Sequence, residues 1–345
     1  MNYERICYGC FREKQSSEGN CPYCGYGPHV ERPANTLPEK TILNGRYLVG
    51  RVLGVGGFGA TYLAYDMKLE EKCALKEYLP SGMAVRTHDR YTLSVIRSEH
   101  RSTYEGGMEK FLDEARILAR LKDVPNIVSV RDYFRENGTA YFVMQYVDGK
   151  SLKALLKERG GRLPFAEAVK ILLPVMRALQ QVHAKQLLHR DISPDNISLT
   201  KSGRPVLLDF GAARSSAGDA STMSVILKHG YAPIEQYSSH GNQGPWTDVY
   251  AMGATLYHCL TGQLPPNAVD RLRADGQVPP AAYGAQIPPQ AETALRTALA
   301  VRPEDRFPNM QPFADALQAS LSGSGAPTVG VPASGAGSLS SFKSK

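Results

Sequence analysis

From residue 47 to 64, β-branched and aromatic positions are broken by Gly54, Gly56, Gly57 and Gly59, a pattern that predicts strand, glycine turn and strand. Cys73-Ala74-Leu75-Lys76 continues as a third short strand. Over residues 108–121, Phe111, Leu112, Ala115, Leu118 and Ala119 recur at helical spacing with charges on the opposite side, which predicts an amphipathic helix. Two strand-like runs, 127–134 and 140–146, are joined through Glu136-Asn137-Gly138, a hairpin-turn sequence. After Gly149 the pattern changes to long helical segments, notably 165–183 and 249–260. A strand-rich half with one helix, followed by a helix-rich half, predicts an α+β fold of two packed subdomains.

The two ends read differently. Residues 1–27 are rich in Cys and Gly and predict a small module, while 28–45 carry Pro28, Pro33 and Pro38 without apolar periodicity and read as a linker. From 319 to 345 the chain collapses to Ser, Gly, Ala and Pro, the composition of a disordered tail. With 345 residues, 42% of them hydrophobic and 21% charged, there is room for one large folded domain beside a small one. The net charge of +7 is spread without a like-charged run, which favours a solvated basic surface over a nucleic-acid or anionic-membrane patch. No window offers the roughly 18 apolar residues of a membrane span, and the polar first residues lack a signal-peptide core, so a cytoplasmic location is expected. Cys73 and Cys259 stand alone in apolar segments and read as buried small hydrophobes in a reducing compartment.

The chemistry concentrates in a few places. Gly54-Val55-Gly56-Gly57-Phe58-Gly59 lies between two expected strands, where glycines let the backbone approach a polyphosphate without Cβ obstruction. A dinucleotide fingerprint would run into a helix, but Ala60-Thr61-Tyr62-Leu63-Ala64 continues as strand. Lys76 sits in an apolar strand segment, where a lysine needs an anion; Glu114, expected on the polar side of the helix, is the candidate partner. His189-Arg190-Asp191-Ile192-Ser193-Pro194-Asp195-Asn196 sets a carboxylate shortly before a carboxamide, and Asp209-Phe210-Gly211 follows the apolar run 206–208. Phosphoryl transfer uses such parts: one carboxylate accepts the proton of the attacking hydroxyl, while an amide oxygen and a second carboxylate hold a divalent cation.

Taken in order, these motifs resemble those of the bacterial branch of the eukaryotic-type Ser/Thr protein kinases, over about residues 47–317. Met144-Gln145-Tyr146-Val147 resembles the hinge that binds adenine, and Ala232-Pro233-Ile234-Glu235 resembles the Ala-Pro-Glu element that closes the activation segment. Asp248 resembles the helix aspartate that braces the catalytic loop, and Arg306 the late arginine that pairs with that element's glutamate, here Glu235. The resemblance implies a two-lobed kinase fold with its catalytic domain at 46–318. It also implies ATP with Mg²⁺ (or Mn²⁺), Asp191 as base, Lys76 with Glu114 on the phosphates, and Asn196 and Asp209 as metal ligands. By the same likeness the nucleotide pocket is expected from Leu53, Gly54, Gly56, Gly57, Phe58, Gly59, Thr61, Ala74, Met144, Gln145, Tyr146, Val147, Asp148 and Ser198. Protein substrates follow, as does self-association for trans-autophosphorylation. An activation segment at 212–231 is implied too, in which Ser215, Ser216, Ser221, Thr222 and Ser224 are candidate phosphosites that could pair with Arg190.

The chain departs from that pattern at Ser193, where Ser/Thr kinases usually carry a lysine, and at Thr61 and Ser198, where they usually carry larger apolar residues around adenine. A nucleotide-binding scaffold without turnover therefore stands as the alternative. The long interval between Lys76 and Glu114 implies an insertion over 80–107. At the amino terminus, Cys7-Tyr8-Gly9-Cys10 and Cys21-Pro22-Tyr23-Cys24 form two knuckles at the spacing of structural zinc ribbons, with redox-active thiols as the competing reading.

Overall fold

The apolar runs of the first half form an antiparallel sheet. The computed structural model describes residues 5–14, 19–27, 29–57, 59–210, 227–238 and 241–322, together with the backbone of 214–215. Its first eight strands are β1 (Ile42–Leu43), β2 (Tyr47–Gly56), β3 (Gly59–Asp66), β4 (Glu71–Tyr78), β5 (Ala84–Arg86), β6 (Leu93–Val95), β7 (Val130–Glu136) and β8 (Thr139–Gln145). Six of them form one sheet in the order β1-β2-β3-β4-β8-β7. The β7–β8 turn is made by Asn137 and Gly138 at φ 53° and 72°, the left-handed pair that a two-residue hairpin requires.

Helix α1 (Arg101–Arg120) packs on this sheet and begins well before the expected residue 108. Gly106-Gly107 hides its first turns from a propensity reading. Gly107 is needed because a Cβ there would lie 2.1 Å from the Tyr78 hydroxyl. Glu114 is not on the polar side of α1 as expected; it is buried at 6% exposure on the face that meets the sheet. The insertion between Lys76 and Glu114 resolves into the β5–β6 hairpin plus the start of α1. Ala84 and Leu93 of that hairpin enter the core, and Arg86 reaches Glu77, which is fully buried and accepts from the hydroxyls of Tyr62 (2.6 Å) and Tyr141 (2.8 Å).

The second half is helical, with β9 (Gly149–Ser151), α2 (Leu152–Glu158), α3 (Phe165–Ala184), β10 (Leu187–Leu188), β11 (Ile197–Thr200), β12 (Pro205–Leu207), β13 (Arg214–Ser215), α4 (Pro245–Thr261), α5 (Ala268–Arg271), α6 (Pro289–Ala298) and α7 (Met310–Ser322). Short sheets, β12-β11-β9 and β10-β13, lie at its junction with the strand-rich half. One apolar cluster runs from Tyr62 and Phe142 through Leu172, Leu179 and Leu256 to Phe313, so both halves share a continuous core. Cys73 and Cys259 lie within it at 0% exposure, as expected.

Two boundaries move. The stretch 28–45 is not a free linker: Leu37 and Leu43 are fully buried in the main core, and the Leu37 N–H donates to the Tyr62 hydroxyl at 3.0 Å. Asn35 clasps the β5 strand, donating to the Ala84 carbonyl and accepting from the Arg86 N–H. At the other end α7 runs past 319, with Ser320 buried and its hydroxyl returned to the Ala316 carbonyl at 2.8 Å. The rest of the expected tail lies outside the described residues.

The amino-terminal module docks on the outer face of the sheet. Ile6 and Phe11 pack with Leu48, Leu63 and Tyr65 in a second apolar cluster, and Tyr146 lies against its edge. The register of β2 on β3 slips between Val49 and Val52, which frees the Arg51 N–H from the ladder; it donates to the Tyr8 carbonyl at 2.9 Å. Gly50 has to be glycine for this approach, since a Cβ there would meet that carbonyl at 2.4 Å.

Candidate active site

The cleft is built from strands that place charges where apolar packing would otherwise exclude them. On β4, Lys76 stands opposite Thr61 of β3 and Phe142 of β8, and its Nζ reaches Glu114 Oε1 at 3.1 Å and Asp209 Oδ1 at 2.9 Å. Burial alone would favour the neutral amine. The two carboxylates outweigh it and raise the Lys76 pKa above the ordinary lysine value. For Glu114 burial dominates and pushes the carboxyl up to about 7, although Lys76 pulls the other way.

The loop that carries Asp191 is held through its backbone. Asp248 on α4 accepts from the N–H groups of His189 (2.9 Å) and Arg190 (2.8 Å) and contacts His183 Nε2 at 2.8 Å. Burial opposes its ionisation, yet the His183 hydrogen bond and nearby His189 hold its pKa below the usual carboxylate value. Arg190 and Asp209 both adopt left-handed φ, 69° and 54°, unusual for residues other than glycine and a sign that surrounding contacts over-determine these turns. The Phe210 ring, fully buried, stands edge-on to His189 at 4.4 Å, which ties the turn after β12 to the catalytic loop.

The expected polar residues come together. Asn196 Nδ2 donates to the Asp191 carbonyl at 2.7 Å and to its Oδ2 at 2.8 Å, so both amide hydrogens are taken and the amide oxygen is the atom left for a cation. The β11–β12 pairing and the Leu208 N–H donated to the Asn196 carbonyl at 2.7 Å bring Asp209 back beside this loop. Two hydrogen-bonded pairs, Lys76 with Asp209 and Asn196 with Asp191, are thus brought side by side, joined through the Leu208 N–H on the Asn196 carbonyl. Their donor set, an amide oxygen and a carboxylate facing a lysine and a second carboxylate, fits a divalent cation with a polyphosphate.

In the glycine loop, Gly54, Val55 and Gly56 of β2 pair with Thr61, Ala60 and Gly59 of β3. A Cβ on Gly54 would meet nothing within 4 Å, which leaves open space beneath that strand. Gly59 has a different reason: a Cβ there would lie 2.3 Å from the Glu77 carbonyl on β4. Gly57 accepts the Ser81 N–H through its carbonyl, and Phe58 lies outside the described residues. Leu53 stays 38% exposed, Ala74 pairs with Met144, and half-buried Gln145, Tyr146 and Val147 lead through exposed Asp148 into β9. Ser198 is buried on β11 and donates to the Lys150 carbonyl at 3.4 Å, which satisfies its hydroxyl. Ser215 (side chain), Ser216, Ser221, Thr222 and Ser224 lie outside the described residues.

The segment that follows them is anchored. Glu235 receives both Arg306 Nη groups, at 2.7 and 3.1 Å, and the Thr247 hydroxyl at 2.9 Å, with all three residues buried. Gln236 donates to the Arg190 carbonyl at 2.9 Å, a brace the sequence did not single out. A second unanticipated residue is Lys228, whose Nζ donates to Ser193 Oγ at 3.0 Å and lies 3.2 Å from Asp191 Oδ1. The signal for it was the unusual Ser193, which takes a lysine out of the loop and leaves a charge to be found elsewhere.

In the amino-terminal module, the ligand atoms of Cys7, Cys10, Cys21 and Cys24 all lie within 4.8 Å of one another, with Sγ pairs at 3.6 Å (Cys7, Cys24) and 3.8 Å (Cys10, Cys21). A tetrahedral ion with metal–sulfur bonds of about 2.3 Å has sulfur–sulfur edges of about 3.8 Å. The Gly9 N–H donates to Cys7 Sγ at 3.3 Å, and Gly25 takes the left-handed φ of 71° that closes the second knuckle. The donor set and spacing fit a closed four-thiolate metal site.

The family model of the protein kinase domain matches residues 47–311. A serine/threonine-protein kinase PknA of Nostoc sp. is 33% identical over 288 residues, 80% of this chain and 48% of that protein. The PknA of Mycobacterium tuberculosis is 33% identical over 291 residues, covering 81% of this chain and 62% of its own length. The chain therefore spans about half to three-fifths of the length of these curated relatives. A solved structure described as "PpkA-294 apo form" superposes with a TM-score of 0.73 at 38% identity, covering 82% of this chain and all of that one. With its braced catalytic loop, its lysine–glutamate pair and this match over most of its length, the chain belongs to the protein kinase family, with bacterial serine/threonine kinases as relatives.

Proposed function

We propose that the chain is a serine/threonine protein kinase that transfers the γ-phosphate of ATP to Ser or Thr hydroxyls of proteins, itself included. The observation that carries this reading is the hydrogen-bonded constellation in which Lys76 bridges Glu114 and Asp209 while Asn196 holds Asp191. Asp191 accepts the proton of the attacking hydroxyl, with its carboxylate oriented by the Asn196 amide. Lys76, fixed by Glu114, holds the α- and β-phosphates, and the strands around Gly54 and Gly56 cover them. The Asn196 amide oxygen and the Asp209 carboxylate would hold Mg²⁺ or Mn²⁺, which neutralises phosphate charge when bound. The names of the relatives support Ser and Thr as acceptors. Incubation of the purified protein with γ-labelled ATP and Mg²⁺ should place label on its own Ser or Thr residues. Nucleotide bound without any label transfer would favour a silent scaffold instead.

The same proposal gives the module a structural Zn²⁺ held by Cys7, Cys10, Cys21 and Cys24, closed to substrate because four thiolates fill a tetrahedral site. So small a unit has little core of its own beyond Ile6 and Phe11, so the ion would hold it in shape for docking. Metal analysis of the intact chain should find one zinc per chain, and Cys10→Ser with Cys21→Ser should abolish it. A metal-free module carrying two disulfides would exclude the site. We further propose a catalytic unit that takes in residues from 37 and runs to 322, with residues 1–27 as its docked accessory. A reducing compartment, the cytoplasm, suits the six thiols.

A further inference from the structure

Ser193 is fully buried two residues after Asp191, at the position where Ser/Thr kinases usually carry a lysine. The structure returns a cation from the segment that leads into Glu235. Lys228 extends to Ser193 Oγ at 3.0 Å and to Asp191 Oδ1 at 3.2 Å, so its ammonium occupies the ground in front of the carboxylate that a lysine at 193 would reach. We propose that Lys228 is a catalytic residue that contacts the γ-phosphate during transfer, and that Ser193 and Lys228 are an exchanged pair in which the positive charge moved from the catalytic loop to the activation segment. The proposal rests on the assignment of Asp191 as the base.

Three features favour this role over a plain structural ion pair. First, the base of the lysine is fixed: the Lys228 carbonyl accepts from the N–H groups of Tyr231 (3.0 Å) and Ala232 (3.1 Å), just before Glu235, which Arg306 anchors in the core. Second, the contact is open to the cleft, with the Lys228 and Asp191 side chains 32% and 30% exposed, so the ammonium can turn from the carboxylate to an arriving phosphate. Third, the electrostatics require it. A carboxylate base beside a triphosphate repels the group it must help transfer, and a cation between them offsets that repulsion. In the step itself the hydroxyl oxygen bonds to the γ-phosphorus as the bond from that phosphorus to the β–γ bridging oxygen breaks. The hydroxyl proton passes to Asp191 and ADP leaves with the bridging electron pair. Lys228 donates hydrogen bonds to the moving phosphoryl oxygens throughout and exchanges no proton.

The test uses the full chain, γ-labelled ATP with Mg²⁺, and casein as a generic Ser/Thr acceptor beside autophosphorylation. Lys228→Met should lower kcat by on the order of 10²-fold while nucleotide affinity and melting temperature stay close to wild type. The decisive variant carries Ser193→Lys with Lys228→Thr, which returns the charge to the loop and should recover activity to within about tenfold of wild type. A lysine that only paired with Asp191 for stability would show in Lys228→Met as a lower melting temperature with little change in kcat per folded molecule. The proposal is overturned if Lys228→Met keeps wild-type kcat, or if the exchanged double variant is folded, binds nucleotide and is as slow as Lys228→Met. Asp191→Asn separates the failures: if it remains fully active the underlying assignment falls, and if it is inactive while Lys228→Met is active only the lysine's role falls.

Discussion

Asp191→Asn should lower phosphoryl transfer by on the order of 10²–10⁴-fold without unfolding the protein. The substitution keeps the shape of the side chain, so its amide oxygen can still accept from Asn196 Nδ2, now 2.8 Å from Asp191 Oδ2. The backbone of the loop is held independently by Asp248, through the N–H groups of His189 and Arg190, and does not depend on the Asp191 carboxylate. What disappears is an oxygen able to take the hydroxyl proton. Nucleotide affinity, which draws on Lys76 and the strands above it, should change by less than about threefold. Rates of label transfer and nucleotide binding, measured on the same preparations, check both halves; an Asp191→Asn protein that phosphorylates at the wild-type rate would remove Asp191 from the chemistry.

The largest effect on stability is expected at Arg306. Its guanidinium makes a bidentate pair with Glu235, both residues buried, and also donates to the carbonyls of Ala300 and Val301 at 2.7 Å each. Arg306→Met fills much of the same volume but leaves a buried carboxylate that still accepts from the Thr247 hydroxyl and takes the guanidinium donors away from two carbonyls. Loss of one partner of a buried pair costs about 3–5 kcal/mol. For a domain of this size that corresponds to a fall in melting temperature on the order of 10 °C. Because Glu235 also anchors the chain that carries Lys228, activity should fall below what the loss of stability alone explains. The double variant Glu235→Gln with Arg306→Met removes the orphaned charge and should recover part of the melting temperature. A single variant that melts like wild type would show that the pair contributes little.

The sheet, the hairpin turn and the long helices could be read from residue patterns because each rests on local signals: glycines at a turn, apolar spacing along a face, an Asn-Gly pair. The polar residues of the site were legible for the same reason, since phosphoryl transfer demands particular groups in a particular order. Other features could not be read locally. Glu114 could be named as the partner of Lys76 but was expected on the polar side of its helix, and only folding shows that the helix turns it inward. Leu37 and Leu43 lie on either side of Pro38 in a segment without periodicity, and their burial comes from core residues further along the chain, Tyr62 among them. Lys228 gave no signal by itself, because its role depends on a serine in another segment. The β5–β6 hairpin was visible only as excess length, and its purpose, placing Arg86 on the buried Glu77, is a tertiary fact.

The slipped register in β2 carries a consequence for how the chain can be dissected. A chain begun at Tyr47, where the family match starts, would leave the Arg51 amide to water and uncover Leu48, Leu63 and Tyr65 on the back of the lobe. Such a truncated lobe would present a fresh sticky face next to Tyr146, so its clumping or altered nucleotide affinity would report the missing knuckles and not a defect in the cleft.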